Sequence, residues 1–235
     1  VVALDGDDTL WHSENQFVMT QERFKELLAG HADPDELDTR LMAHERENLR
    51  LFGYGVKGFT LSMIETAIEV TDGRIDVADI QAIIDGAKEM LQHPVDLLPG
   101  VAETVEELAG RHRVMVVTKG DLFHQESKLA RSGLAELFWQ IEIVAEKDVP
   151  PYRRILQRYD LDPDRFLMVG NSVKSDVLPV LELGGRAVHI EYDTTWEMGL
   201  AEVGEGHEGF WRLDSIRQLP ALIASLGHTG LHASQ

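Results

Sequence analysis

Cysteine is absent from the chain, which excludes disulfide bonds, thiolate metal sites and a cysteine nucleophile. A cysteine-free chain fits a reducing compartment, so we expect a cytoplasmic protein. Positive charge is also scarce, because 22 Lys and Arg stand against 41 Asp and Glu, giving a formal net charge of −19. Such a chain is repelled by nucleic acids and anionic membranes, and we expect neither as a partner. A small anionic substrate would need a local positive site, such as a bound cation.

Long hydrophobic runs are missing as well. No stretch approaches the roughly 18 apolar residues that a membrane-spanning helix requires. The apolar segment Val1 to Leu4 has no charged leader before it, and we interpret it as a strand rather than as a signal peptide. A chain of 235 residues is long enough for one large domain, or for a core domain that carries a smaller one. The sequence predicts no particular oligomeric state.

Short, almost continuously apolar segments recur along the chain and alternate with segments of helical period. The predicted strands are Val1 to Leu4, Val114 to Val117, Ile141 to Val144, Phe166 to Val169 and Ala187 to Ile190. Strands that are apolar throughout and alternate with helices indicate a parallel sheet that is covered on both faces. We therefore expect an α/β fold.

One interval interrupts this alternation. From Glu14 to Leu97 the sequence has a polar-rich helical pattern and no convincing strand. The connection after a first strand is normally short, so we expect an inserted helical domain at 14–97, with 1–13 and 98–235 forming the core domain. The glycine-rich stretch Gly53 to Gly58 is predicted to be a loop that joins two helices of the insert.

Acidic side chains follow the first predicted strand directly. Asp5, Asp7 and Asp8 lie within four residues of one another. Carboxylates this close repel each other strongly unless a cation is bound, and Mg²⁺ is the usual oxygen-liganded cation when the substrate is a phosphate. Taken alone, the cluster is equally typical of a solvated acidic turn or a calcium site.

The next three predicted strands also end in polar side chains. Thr118 ends the second strand, Lys147 follows the third, and Asn171 and Asp176 follow the fourth. Because the carboxyl ends of parallel strands meet at one edge of a sheet, these side chains are expected to meet the acidic cluster. A nucleophile, a metal site and donors for phosphoryl oxygens are the requirements of phosphoryl transfer.

In this order the motifs resemble those of the haloacid dehalogenase superfamily, in the branch with a helical type I (C1) cap. Its Asp-x-Asp-x-Thr motif is matched by Asp5 to Thr9, its hydroxyl by Thr118 and its lysine by Lys147. Its acidic pair is matched by Asn171 and Asp176, with Asn171 where an aspartate is common. The resemblance covers essentially the whole chain and implies a Rossmann-like parallel-sheet core with an inserted all-helical cap domain.

The resemblance also implies a role for each matched residue. Asp5 would attack phosphorus and become an aspartyl-phosphate, while Asp7 would protonate the leaving oxygen and then activate water. Thr118 and Lys147 would hold the phosphoryl oxygens. The Mg²⁺ cofactor would be held by Asp5, by the backbone carbonyl of Asp7, and by Asn171 and Asp176.

Residues beside these motifs are further candidates. Lys119 and Lys57 are predicted to bind substrate, although Lys57 could equally lie on a flexible surface loop of the cap. Asp121 is expected to cap the helix that follows it. Asp8 stands where glycine is common in the family, and aspartate tolerates the unusual backbone angles of such a turn. Trp11 is predicted to pack under the cap hinge or to line the pocket entrance.

These residues favour a Mg²⁺-dependent hydrolase that acts on a small phosphorylated metabolite. A 2-haloacid dehalogenase is an alternative, but the similar dehalogenases lack the second aspartate that Asp7 provides. A phosphomutase uses the same two aspartates, and a phosphonate hydrolase would need a Schiff-base lysine, for which Lys57 is the candidate. A catalytically inactive binding protein on the same fold is the remaining alternative.

Overall fold

The core of the protein is a six-stranded parallel sheet, seen in a computed structural model that describes residues 1–192, 203 and 207–229. The strands lie in the order β3-β2-β1-β4-β5-β6. Their bounds are β1 Val2–Leu4, β2 Val114–Lys119, β3 Gln140–Val144, β4 Leu167–Gly170, β5 Arg186–Ile190 and β6 Phe210–Leu213. The expected α/β fold with a parallel sheet is confirmed.

The central position of β1 explains its composition. Val2 pairs with Val114 of β2 on one side and with Leu167 of β4 on the other, so no edge of β1 faces water. A strand enclosed by neighbours and covered on both faces has to be apolar throughout. The edge strand β6 was not predicted, because it is only partly buried and carries the exposed Arg212, so it lacks the continuous apolar pattern of the inner strands.

Four helices lie within 14–97, where the insert was expected. They are α1 Glu14–Leu28, α2 Pro34–Phe52, α3 Val56–Val70 and α4 Val77–Gln92. The remaining helices are α5 Val101–Ala109, α6 Leu122–Arg131, α7 Val149–Arg158, α8 Leu178–Glu182 and α9 Leu219–Thr229, and a π-helical turn spans Val173–Val177. Among the helices of the described residues, none is long and apolar enough to cross a membrane.

Helices α1 to α4 form a cap with a hydrophobic core of their own. Its buried members include Phe24, Leu41, Phe59 and Met63, and they form a cluster distinct from those that flank the sheet. The two chain connections to the cap run side by side, because Leu98 N donates to the carbonyl of Leu10 over 3.0 Å. Two cores joined by paired connections give the molecule a cleft at the edge of the sheet.

The connection between α2 and α3 is shorter than predicted. Gly53 and Gly55 have φ angles of 72° and 114°, which favour glycine, but α3 already begins at Val56. Gly58 lies in the first turn of α3, where a Cβ atom would come within 2.9 Å of the Gly53 carbonyl oxygen. The glycine at position 58 therefore permits a close approach of helix and loop, and the predicted loop up to Gly58 was wrong beyond Gly55.

Candidate active site

The predicted nucleophile, Asp5, lies just beyond β1 and is only 6% exposed. Its backbone N donates to the carbonyl of Val169 in β4 over 2.9 Å, which extends the sheet pairing to this residue. Gly6 N donates to Asp5 Oδ1 over 2.8 Å, and Lys147 Nζ lies 2.7 Å from the same oxygen. The side chain is thus fixed by the backbone on one side and by a buried ammonium on the other.

Lys147 bridges two buried carboxylates. Besides Asp5, its ammonium contacts Asp176, whose side chain is completely buried. Burial lowers the pKa of Lys147, but the charges of Asp176 and Asp5 outweigh burial and raise it, so the lysine is protonated. Burial and then the charge of Asp176 raise the pKa of Asp5 to about 7, although Lys147 opposes both effects. One ammonium therefore does not compensate both carboxylates, and an additional cation would favour the ionised Asp5 that a nucleophile requires.

Asp176 is held against the end of β4. A Cβ atom at position 170 would collide with its carboxylate, so Gly170 is required for this close approach. Ser172 N donates to Asp176 Oδ2 over 3.0 Å. The loop after β4 is also tied to the loop after β1, because Asn171 N donates to Thr9 Oγ1 over 3.1 Å. Two of the predicted motifs are therefore joined by direct hydrogen bonds.

The oxygen atoms at this edge of the sheet fit a hard divalent cation. Asp5 and Asp176 provide carboxylates, Asn171 provides an amide oxygen and Asp7 a backbone carbonyl, and Mg²⁺ prefers oxygen ligands of this kind. In the described part of the chain, no three acidic or histidine side chains are grouped closely enough to hold a metal by themselves. Mg²⁺ commonly uses one or two protein carboxylates and completes its shell with water and substrate phosphate.

The second aspartate of the motif, Asp7, is held by three side-chain donors. Lys128 Nζ lies 2.5 Å and Trp11 Nε1 2.6 Å from its Oδ1 atom, and Gln125 Nε2 lies 2.9 Å from Oδ2. Burial raises the pKa of Asp7, but the charge of Lys128 and the three hydrogen bonds together lower it. The carboxylate is thus fixed in place and ionised in this structure.

Gln125 and Lys128 belong to the site but were not predicted from the sequence. Both lie on α6, three positions apart, which places them on the same face of the helix. Only 8% of Lys128 is exposed, an unusually low value for lysine, and Asp7 is the carboxylate that pairs with it. The sequence does show that Gln125 and Lys128 share a helical face soon after Thr118 and the Asp121 cap. Helical period alone, however, does not show that this face contacts Asp7.

Asp8 and Trp11 shape the turn. Asp8 has a φ of 59°, in agreement with the expectation that this position needs an unusual backbone conformation. Its Oδ1 atom accepts hydrogen bonds from Ser13 N over 2.8 Å and Glu14 N over 3.1 Å, at the start of α1. Trp11 is fully buried and forms a backbone bridge with Leu97, so it lies beneath the hinge between cap and core.

Thr118 and Lys119 lie at the end of β2, as expected. Thr118 is buried beside Gly6 and lines the cavity that contains Asp5. Lys119 Nζ lies 3.2 Å from Ser175 Oγ and 4.0 Å from the centre of the Tyr54 ring, so it contacts both the core and the cap. Burial lowers the pKa of Lys119, with Glu146 opposing that effect.

Lys57 lies outside the cavity that Asp5 and Lys147 line, as does Asp176, which is buried behind Lys147. Its ammonium pairs with Asp121 over 2.8 Å, and 61% of its side chain is exposed. Asp121 also caps α6 as expected, because its Oδ1 atom accepts a hydrogen bond from His124 N over 3.0 Å. The position of Lys57 on the first turn of α3 turns it toward this ion pair rather than toward Asp5.

A cavity of about 210 Å³ lies between the end of the sheet and the cap. The core side contributes the predicted residues Asp5, Asp7, Thr118, Lys147 and Asn171, together with Lys119 and Lys128. The cap side contributes Tyr54, which was a candidate from the sequence, and five residues that were not predicted, namely Glu14, Phe17, Glu45, Asn48 and Phe59. The predicted side chains of the core, except Asp176, are therefore brought to one cavity.

Two solved structures resemble this fold. A haloacid dehalogenase-like family hydrolase from Xanthomonas campestris is 42% identical, with 97% of this chain and 96% of that chain covered and a TM-score of 0.86. A 2-haloacid dehalogenase from Pseudomonas syringae pv. Tomato DC3000 is 20% identical, with 96% and 98% covered and a TM-score of 0.62. At 20% identity the second likeness concerns the fold alone.

A curated relative and a family model extend the comparison. The pyrimidine 5'-nucleotidase YjjG of Escherichia coli (strain K12) is 28% identical over 133 residues, which span 54% of this chain and 56% of the relative. The match therefore spans little more than half of that protein. The family model of the haloacid dehalogenase-like hydrolases matches residues 1–184, which include all four predicted motifs. The chain belongs to the haloacid dehalogenase-like hydrolases.

Proposed function

We propose that the protein is a Mg²⁺-dependent phosphomonoesterase that acts on a small phosphorylated metabolite through an aspartyl-phosphate on Asp5. The observation that carries the proposal is the carboxylate of Asp7, which lines the same cavity as Asp5 and is fixed by three donors. An alkoxide leaves phosphorus poorly unless it is protonated, so a phosphatase needs a second, positioned acid–base group. The cavity of about 210 Å³ suits a small substrate.

The first chemical step uses four residues of the chain. Asp5 Oδ attacks phosphorus and the bond to the leaving oxygen breaks, so that the phosphoryl group is transferred to Asp5. Asp7 is ionised before substrate binds, so it takes up the proton that a phosphate monoanion brings and gives that proton to the leaving oxygen. Thr118 and Lys147 hold the phosphoryl oxygens and stabilise their charge as it develops. Bound Mg²⁺ would neutralise part of the charge shared by Asp5, Asp176 and the phosphate.

The second step regenerates the enzyme. Asp7, now a carboxylate, accepts a proton from water, and the water oxygen attacks phosphorus. The bond between phosphorus and Asp5 breaks, which releases inorganic phosphate and returns Asp5 as a carboxylate. Lys128, Gln125 and Trp11 hold Asp7 in its ionised form, which is the form that this step requires.

Dehalogenation is the competing reaction, because haloacid dehalogenases share the fold. A halide leaves carbon without a proton, so the first step of that reaction needs no acid at the position of Asp7. A phosphomutase and an inactive binding protein remain alternatives that the same assays test. We further propose a cytoplasmic location and no nucleic-acid or membrane partner, on the basis of the acidic, cysteine-free composition.

The test is hydrolysis of an aryl phosphate by the purified protein with Mg²⁺, after chelation, and in the Asp5→Asn variant. Metal-dependent turnover that Asp5→Asn abolishes is the expected result. Full activity after chelation would contradict the metal assignment. Release of halide from a 2-haloacid without Mg²⁺, in the absence of phosphatase activity, would favour the dehalogenase.

A further inference from the structure

The cap side of the cavity offers hydrogen-bond acceptors without a cation. Glu14 of α1 and Glu45 and Asn48 of α2 line it. Lys, Arg and His are absent from the cap residues on the described cavity wall, whereas the core side carries Lys119, Lys128 and Lys147. The cavity is therefore divided in charge, with its cations at the sheet and its uncompensated acids in the cap.

These acceptors have no donor of their own in the part of the chain that the structure describes. The carboxylates of Glu14 and Glu45 take part in no ion pair or side-chain hydrogen bond there. Asn48 is only 5% exposed, and its amide nitrogen donates to Ser62 Oγ over 3.1 Å and to Glu65 Oε2 over 2.6 Å. Both amide hydrogens are thereby used, which fixes the orientation of the amide and leaves its Oδ1 atom as an acceptor without a partner among the described residues.

Burial of acids without a cation is unfavourable, and the pKa values reflect it. Burial raises the pKa of Glu45 to about 7, and burial followed by the charges of Asp8 and Glu45 raises that of Glu14 to about 7. A cation between them would favour both ionised forms. Phe17 and Phe59 line the same cavity as an edge-to-face pair with centroids 5.2 Å apart, and aromatic rings also attract ammonium groups.

We propose that Glu14, Glu45 and Asn48 form a subsite for a protonated amino group on the organic part of the substrate. The inference rests on the proposed phosphatase function, since the phosphate of the same molecule would lie at Asp5 and Lys147. The substrate class is then a phosphomonoester of an amino alcohol, with its anionic end at the sheet and its cationic end in the cap. A substrate with a carboxylate at that end would be repelled by the two glutamates.

The experiment compares ω-aminoalkyl phosphates of two to five carbons with n-alkyl phosphates in which a methyl group replaces the ammonium. At the best chain length, the wild type is expected to prefer the amine by about tenfold or more in kcat/KM, because charge-assisted hydrogen bonds are roughly twice as strong as neutral ones. Glu45→Gln and Glu14→Gln are each expected to reduce this preference by about tenfold. The preference is measured within each variant as the ratio of amine to alkyl turnover, and measurable turnover of the alkyl phosphate shows that the variants are folded.

Glu47→Gln is the matched control, since Glu47 is an exposed residue of the same helix as Glu45 and does not line the cavity. It should keep the full preference for the amine. Equal turnover of amino and alkyl phosphates by the wild type would overturn the subsite and leave the phosphatase proposal intact. A preference that survives in both glutamine variants would overturn the assignment of these residues. Inactivity toward every phosphate, aryl phosphate included, would overturn the proposed function and the subsite with it.

Discussion

Replacing Lys128 with Met tests how Asp7 is positioned. The substitution removes the ammonium that lies 2.5 Å from Asp7 Oδ1 and keeps an unbranched, apolar side chain of similar length. Trp11 Nε1 still donates to the same oxygen, and Gln125 to the other. Asp7 is therefore expected to stay in the cavity but to lose the donor that carries a charge, so its carboxylate is held less firmly.

The size of the effect follows from the contact. A hydrogen bond to a charged group contributes about 1.5–3 kcal/mol. At about 1.4 kcal/mol for each factor of ten, kcat for an alkyl phosphate should fall roughly 10- to 100-fold. An aryl phosphate should lose less in its first step, because a phenolate needs less help to leave. KM should change less than kcat, since the lost interaction acts through Asp7 on the transition state.

The assay is steady-state kinetics of Lys128→Met with matched alkyl and aryl phosphates. Lys128→Arg keeps a charged donor and should recover part of the alkyl activity. Lys88→Met is the control, because Lys88 is a surface lysine with 57% of its side chain exposed and should have wild-type kinetics. Wild-type turnover by Lys128→Met would refute the positioning role, and an equal loss with both substrates would point instead to damaged phosphate binding.

Three other changes test separate parts of the structure. Gly58→Ala should destabilise the protein by about 1–3 kcal/mol in urea unfolding, because its Cβ would press on the Gly53 carbonyl; unchanged stability would mean that the loop shifts freely. In the folded protein, burial and then the charge of Lys128 lower the pKa of His124 from 6.5 to about 4. Between these two pH values the histidine is protonated in the unfolded chain but neutral in the folded one. Stability should therefore fall as the pH drops from 6.5 toward 4, and less steeply in His124→Gln than in the wild type; parallel profiles of the unfolding midpoint against pH would contradict this. Lys57→Ala should change kcat/KM less than about twofold, because the ion pair of Lys57 with Asp121 is exposed and lies outside the cavity. A large rise in KM for the native substrate would show instead that Lys57 binds substrate.

The sequence predicted the parts of the fold that burial dictates locally. Strands β1, β2 and β4 are enclosed by neighbours, so the residues before the carboxyl end of each strand had to be apolar. Strand β6 lies at the edge, and its exposed Arg212 breaks the pattern. The loop was predicted to run to Gly58 because glycine is common in turns. At position 58, however, glycine lies in a helix and allows close packing against the Gly53 carbonyl.

The part of the site on the core domain could also be predicted, because its residues follow the carboxyl ends of parallel strands. These ends all lie at one edge of the sheet. The structure brings Asp5, Thr118 and Lys147 to one cavity as that rule requires. The contact of Lys128 with Asp7 depends on how α6 packs against the first loop, across 121 positions of sequence, and local spacing does not report it. The acceptors of the cap were missed for the same reason, since they meet only when α1, α2 and α3 pack together.

The most direct test of the proposed reaction is to trap phosphate on Asp5. In Asp7→Asn the base of the second step is lost, so an aryl phosphate and Mg²⁺ should leave the protein phosphorylated. Rapid quenching followed by peptide mapping measures the bound phosphate and its position. We expect nearly one phosphate per chain on Asp5 with Mg²⁺ present and none after chelation. Turnover at the wild-type rate without phosphate on Asp5, or phosphate on another residue, would contradict it.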